Sequence, residues 1–65
     1  MKMEADERKK QIRQAAMKVF LDKGFRNTVM NDIMEATGLS RGGLYHHYGF
    51  TYVILYDIMV EGNKY

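Results

Sequence analysis

The sequence predicts an all-α fold, a bundle of four short helices that contains a helix-turn-helix. Two observations carry this prediction: apolar residues recur at the 3.6-residue period of an α-helix, and no segment has the pattern of a β-strand. The 65 residues make one small domain, and they contain neither Cys nor Pro. Disulfides, thiolate metal sites and X-Pro turns are therefore excluded within this sequence.

The first helix is predicted over residues 6–23. Its apolar residues fall at positions i, i+3, i+4, i+7 and i+8, which places them on one face: Ile12, Ala15, Ala16, Val19 and Phe20. Gly24 is expected to end the helix, and Phe25 to fold back onto it.

The second helix is predicted over residues 29–36. Asn27 or Thr28 is expected to cap its first turn, and Asp32 lies near the positive end of the helix dipole. Ile33 is the main core residue of this segment.

A glycine turn then leads into a third helix, predicted over residues 41–48. Gly38 lies where the second helix must stop, a position that favours positive φ. Leu39 is expected to pack under the turn and Ser40 to cap the next helix. Two helices joined by a short glycine-containing turn are typical of a homeodomain-like helix-turn-helix, whose second helix enters the DNA major groove.

The start of the third helix has an unusually small and polar surface, made by Ser40, Arg41, Gly42 and Gly43. Each glycine costs about 1 kcal/mol in a helix relative to Ala. Two in a row favour close approach to another polymer over a loose helix. We interpret this surface as one that docks on DNA.

Other side chains of the third helix divide between core and surface. Leu44 and Tyr48 lie at i and i+4 and are expected on the core side, whereas Tyr45 is expected to reach a phosphate with its hydroxyl. His46 is expected to read a base edge and His47 to contact a phosphate; the alternative is that they are idle surface residues. Adjacent histidines point about 100° apart on a helix, so no metal site is predicted.

The fourth helix is predicted over residues 52–61, closed by Gly62-Asn63. Between residues 52 and 60 only Asp57 is charged. A helix that is apolar all round is normally buried all round, yet a three-helix core covers only one face. About half of this surface is therefore expected to have a partner, either the rest of a longer protein or a second copy.

Charge is distributed unevenly along the chain. Residues 1–26 carry eight Lys and Arg against four Asp and Glu, while residues 27–65 carry two against four. The basic residues of the first helix, with Lys9 and Lys10 foremost, are expected to meet phosphates; a solvated helix face is the alternative. No membrane-spanning run, signal peptide, cofactor motif or catalytic constellation is present, which favours a cytoplasmic protein that is not an enzyme.

The sequence resembles the N-terminal DNA-binding domain of the tetracycline-repressor (TetR) family over about residues 8–60. Its most specific part is the run Gly38-Leu39-Ser40-Arg41-Gly42 with Leu44-Tyr45 and His47-Tyr48. The upstream residues that match are Ile12, Ala15, Ala16, Val19, Phe20, Lys23, Gly24, Phe25, Thr28, Asp32, Ile33 and Ala36. The resemblance implies a homodimeric repressor that binds a palindromic operator, one half-site per subunit. It also implies a C-terminal effector and dimerisation domain, which this sequence does not contain.

The start of the fourth helix departs from the family pattern. Phe50 stands where the family usually has a capping Ser or Asn, Thr51 where it has a phosphate-binding Lys, and Tyr52 where it has a Glu. Thr51 is expected to act as a substitute cap and as a neutral phosphate contact.

Together these arguments predict double-stranded DNA as the partner. The residues expected to contact it are Lys9, Lys10, Thr28, Ser40, Arg41, Gly42, Gly43, Tyr45, His46, His47 and Thr51. The alternative function is a helical protein–protein interaction module that uses the apolar fourth helix.

Overall fold

The computed structural model describes residues 5–62, which form four α-helices and no β-strand. The helices are α1 (Ala5–Lys23), α2 (Met30–Thr37), α3 (Arg41–His47) and α4 (Thr51–Gly62), and a single 3-10 turn, Phe25–Asn27, precedes α2. The all-α prediction is confirmed. Each helix begins and ends within one residue of the sequence expectation, while Asn63, expected to help close α4, lies outside the described residues.

The core is shared by all four helices. The apolar stripe predicted on α1 supplies three buried side chains, and α2, the α3 segment and α4 supply the rest: Ile12, Ala16, Phe20, Ile33, Leu44, Tyr48 and Ile54. Burying one Ile or Leu side chain stabilises a fold by about 1.5–3 kcal/mol. Every helix therefore depends on the others, because none can bury its apolar residues alone.

Gly24 ends α1 as expected. Its φ of 87° lies in the region that favours glycine, and its N–H donates to the Phe20 carbonyl over 2.8 Å. Phe25 folds back so that its ring meets that of Phe20 edge to face, with 5.2 Å between the centroids.

The expected cap of α2 is wrong. The helix begins at Met30, and the N–H of Val29 donates to the Asp32 carboxylate over 2.9 Å. Asn27 and Thr28 bind carbonyls of the preceding turn instead: the Asn27 amide donates to Lys23 and the Thr28 hydroxyl to Gly24. The cap position of α2 falls on Val29, so Thr28 lies one residue and Asn27 two residues too early in the chain to cap this helix.

The start of α4 also differs from expectation. The Phe50 carbonyl accepts the N–H groups of Val53 and Ile54, so Thr51 is the first residue within the helix and not its cap. The exposed Phe50 ring stacks on that of Tyr52, with 5.4 Å between the centroids. The helix therefore begins on backbone hydrogen bonds, one residue earlier than a Thr51 cap requires.

Beyond its start, α4 divides into an inner and an outer face. Ile54 is fully buried, and Val53, Leu55 and Ile58 pack partly against the core. Tyr52, Tyr56 and Met59 are exposed, at the i, i+4, i+7 spacing of one helical stripe. The outer apolar face expected from the sequence is thus present within the described residues.

Candidate nucleic-acid interface

Three residues, Gly38 to Ser40, join α2 to α3. Gly38 has φ 77° and ψ 7°, the left-handed conformation, and its N–H donates to the Met34 carbonyl over 2.9 Å. Leu39 is half-buried against the core, and the Ser40 hydroxyl oxygen accepts the Gly43 N–H over 3.1 Å. The predicted turn residue and the predicted cap are both confirmed, and they fix the direction in which α3 leaves α2.

The side of α3 that faces away from the core is uncovered. Arg41, Gly42, Tyr45 and His46 are exposed, whereas Leu44 is fully buried and holds the helix against the core. This outer side presents a guanidinium, a phenol hydroxyl and an imidazole, which are groups that bind phosphates or base edges.

The two consecutive glycines of α3 have different surroundings. A Cβ added at Gly43 would lie 3.2 Å from the Ser40 hydroxyl oxygen, whereas one added at Gly42 would meet nothing within 4 Å. Gly43 is therefore explained inside the protein, because a side chain there would crowd the cap. Gly42 has no such internal reason, so its lack of a side chain bears on what approaches from outside.

The N-terminal part of α1 adjoins the C-terminal end of α3. The Lys9 ammonium lies 5.7 Å from the centroid of the Tyr48 ring, and the rings of His46 and His47 meet edge to face with 5.0 Å between centroids. Partial burial lowers the pKa of His47, and the nearby charges of His46, Lys9 and Arg8 lower it further. We call Arg8, Lys9, His46 and His47 the α1/α3 basic cluster.

Sequence reasoning missed Arg8. Arg8, Lys9 and Lys10 are consecutive, so the sequence shows three basic residues about 100° apart around one helix. Only the tertiary structure shows which of them lie near the end of α3: Lys9 lies over the Tyr48 ring, and the charges of Arg8 and Lys9 act on His47.

Three predicted residues lie apart from the outer side of α3. Lys10 is exposed in a surface hollow that it shares with residues of α1 and with Glu61 in the last turn of α4. Thr28 is only 5% exposed, and its hydroxyl, which has a single proton, donates to Gly24 over 2.8 Å. In this arrangement Thr28 cannot also donate to a phosphate. Thr51 is half-buried at the start of α4.

The end of α3 is tied to both α1 and α4. The Tyr48 hydroxyl donates to the Asp57 carboxylate, which also pairs with the Arg13 guanidinium over 3.2 Å. Burial and this hydrogen bond raise the pKa of Tyr48 to about 12, while the same hydrogen bond and the charge of Arg13 lower the pKa of Asp57. Arg13 is thus directed into the protein, which sequence reasoning did not foresee.

Two kinds of site are absent from the described part of the chain. Residues 5–62 contain no group of three or more His, Cys, Asp or Glu side chains placed to hold a metal ion. No helix in that range is long and apolar enough to cross a membrane.

Comparison with known proteins identifies the family to which this helix-turn-helix belongs. The pattern of bacterial regulatory proteins of the tetR family matches residues 12–50, which run from the first buried residue of α1 through the helix-turn-helix. The chain belongs to the TetR family. Its helix-turn-helix is accordingly a DNA-binding domain of a transcriptional regulator.

Curated relatives bear similar descriptions. The TetR-family domain is 40% identical over 57 residues to the uncharacterized HTH-type transcriptional regulator YfiR of Bacillus subtilis, a match that covers 88% of this chain. It is also 40% identical over 47 residues, 72% of this chain, to the HTH-type transcriptional regulator TtgR of Pseudomonas putida. The matched parts make up 28% and 22% of those two relatives, so the chain spans less than a third of their lengths. No solved structure gives a significant match.

Proposed function

We propose that this TetR-family domain binds the operator of a repressor with α3 in the major groove. The observation that carries the proposal is the uncovered outer side of α3, with Gly42 open to close approach, next to the α1/α3 basic cluster. A major groove about 12 Å wide admits one α-helix, and a glycine surface brings the backbone near its wall.

Each side chain has a distinct role in this proposal. Arg41 and His46 reach base edges, because both are exposed and long enough to extend beyond the helix backbone. Ser40 and Tyr45 contact phosphates on one side of the groove. The Ser40 oxygen accepts from Gly43, which leaves its proton for a phosphate oxygen.

Phosphates on the other side of the groove are contacted by residues near the ends of three helices, α1, α3 and α4. Lys9 and His47 belong to the α1/α3 basic cluster, to which the structure adds Arg8. Thr51 contributes a neutral hydroxyl near the start of α4, weaker than a charged contact. Lys10 and the Thr28 hydroxyl are not included, because one lies beside the end of α4 and the other is turned inward.

The operator we propose is palindromic, with one half-site per subunit of a homodimer. Two copies related by a twofold axis would present two α3 helices to successive major grooves. A single domain makes only half of these contacts, so its affinity for duplex DNA should be about micromolar and close to the nonspecific range.

Selection from a pool of random duplexes tests this proposal. The expected result is an enriched motif, and a steep fall of affinity with salt as counterions are released. In a titration of the selected duplex, amide chemical shifts of residues 40–47 should move. Enrichment of no motif, with residues 40–47 unmoved, contradicts the proposal.

Two variants of equal charge sharpen the test. Gly42→Glu puts bulk and negative charge into the space against the groove and should abolish binding without unfolding the domain. Gln14→Glu, on an exposed position of α1 in the grooves facing α2 and α4, changes the net charge equally and should keep most of the affinity. Equal losses in the two variants would mean that net charge, and not α3, governs binding.

The exposed apolar stripe of α4 supports the alternative, a protein–protein interaction module. Apolar contacts are not weakened by salt as phosphate contacts are. Binding that survives high salt, with shift changes confined to Tyr52, Tyr56 and Met59, would favour it.

A further inference from the structure

A carboxylate on α4 connects the far end of α3 to α1. One oxygen of Asp57 accepts from the Tyr48 hydroxyl and from the Arg13 guanidinium, 3.2 Å away. Tyr48 directly follows the last residue of α3, and Arg13 lies in the middle of α1. We call these three residues the Arg13–Asp57–Tyr48 link.

Stability alone is a weak reason for this link. The side chains of Arg13 and Asp57 are 18% and 28% exposed, so both charges have lost much of their hydration. An ion pair drawn out of water often stabilises a fold no better than apolar residues of similar volume. Charged hydrogen bonds are directional, however, and they hold two groups at a defined distance and angle.

The anchors of α3 show that the link controls the orientation of this helix. α3 has seven residues and is about 10 Å long. Its start is held by the Gly38 turn and the Ser40 cap, and Leu44 holds its middle. The next anchor is Tyr48, whose hydroxyl reaches Asp57.

Tyr48 also underlies part of the proposed DNA contact surface. The Lys9 ammonium lies 5.7 Å from the centre of its ring, and His47 is its neighbour in sequence. A shift of Tyr48 therefore moves the end of α3 and the α1/α3 basic cluster together.

We propose that Asp57 is a positioning residue for sequence discrimination, which acts by holding Tyr48 and so sets the angle of α3 against α1 and α4. This inference rests on the proposed function. Base-edge contacts need placement to within about 0.5 Å, whereas a flexible Lys or Arg follows a phosphate over a larger range. Loosening the link should therefore weaken binding to the selected duplex more than binding to DNA in general.

The experiment compares two duplexes of the same length and base composition, one selected by the protein and one scrambled. Tyr48→Phe removes a single oxygen and keeps the ring in the core, and Asp57→Asn removes the charge with little change of shape. Each should lower the ratio of the two affinities about tenfold. Affinity for the scrambled duplex and the salt slope should stay within about twofold of wild type, because the phosphate contacts persist.

Matched controls separate this effect from the loss of any tyrosine hydroxyl or any acidic charge. Tyr56→Phe removes a hydroxyl that is exposed on α4, and Asp22→Asn removes an exposed carboxylate on α1. Both should keep the wild-type ratio. The double variant Tyr48→Phe/Asp57→Asn should lose no more than the larger single loss, since the two residues act as one unit.

The outcomes distinguish this inference from the function on which it rests. A wild-type protein that prefers no duplex overturns both. A wild-type protein that discriminates, with a Tyr48→Phe variant that is folded and has the same ratio, overturns the positioning role alone. Equal losses on both duplexes also overturn it, because they indicate a general loss of binding. If Asp57→Asn does not fold, Tyr48→Phe decides the question.

Discussion

At the scale of single residues, the glycines of the helix-turn-helix have separate physical reasons. Gly38 is required by its backbone conformation, since its φ is 77° although a Cβ would meet nothing within 4 Å. A Cβ at Gly43 would crowd the hydroxyl oxygen of the neighbouring cap, whereas a Cβ at Gly42 would meet nothing inside the protein. Stability and DNA binding should therefore respond differently at these three positions.

Gly38→Val should lower the free energy of unfolding by about 1 kcal/mol or more, because a β-branched residue resists positive φ. Thermal unfolding followed by circular dichroism measures this. Gly42→Ala is the control: it adds a methyl group in open space within a helix and should stabilise by up to about 1 kcal/mol. An unchanged melting temperature for Gly38→Val would contradict the role given to the left-handed conformation.

Affinity for duplex DNA should rise as the pH falls from 7.5 to 5.5. The pKa of His47 in the domain without DNA is lowered from its ordinary value of 6.5, so the imidazole is mostly neutral at pH 7. A phosphate beside it favours the charged form, and binding should then be accompanied by proton uptake. Because the pKa of His47 is lowered in the folded domain without DNA, that domain loses stability as the pH falls below 6.5.

Dissociation constants at constant ionic strength measure this dependence. His47→Gln should flatten it without abolishing binding. A variant that keeps the full pH dependence would show that another group takes up the proton.

At the scale of secondary-structure elements, the start of α2 depends on Asp32, the third residue of the helix. The Asp32 carboxylate accepts the Val29 N–H and pairs with Lys23 over 3.0 Å, so it joins the end of α1 to the start of α2. The hydrogen bond from Val29 and that from Lys23 lower the pKa of Asp32. Its stabilising effect is therefore present above the ordinary pKa of 3.8 and is lost as the pH falls below it.

Asp32→Ala should lower the melting temperature at pH 7, because the Val29 N–H then lacks its partner and the helix dipole lacks its negative charge. The difference from wild type should shrink as the pH falls below 3.8 and the Asp32 carboxylate takes up a proton. Glu35→Ala, on an exposed position of the same helix, is the control and should change the melting temperature less. A difference that does not shrink at any pH below 3.8 would contradict an electrostatic role for Asp32.

At the scale of the whole molecule, the outer face of α4 should govern association. Tyr52, Tyr56 and Met59 are all more than half exposed and lie on one stripe. Apolar surface of this kind is removed from water when two copies meet. The chain should therefore self-associate as its concentration is raised, and added salt should not prevent this.

Sedimentation measures this association. Tyr56→Lys should shift the chain toward monomer, while Leu21→Lys should not, although Leu21 is 80% exposed, because it lies outside the stripe. A monodisperse monomer at high concentration would contradict the prediction.

Local signals predicted much of the fold and part of the candidate interface. Helical periodicity located the stripe of Ile12, Ala16 and Phe20, and the Gly38–Ser40 turn was correct in both its glycine and its cap. These features depend on residues within a few positions of one another. They are decided by backbone conformation and helix period, which can be read along the chain.

Residue patterns along the chain were enough to predict the all-α fold, the helix-turn-helix and the resemblance to the TetR family. Three features depend on how the helices pack: Thr28 turns inward, Arg8 and Lys9 lie near the end of α3 while Lys10 does not, and Asp57 joins Arg13 to Tyr48. Arg13 and Asp57 are 44 residues apart, and no local pattern links them. The reason is physical: periodicity places a side chain around its own helix, but which helix it then meets depends on how the helices pack together.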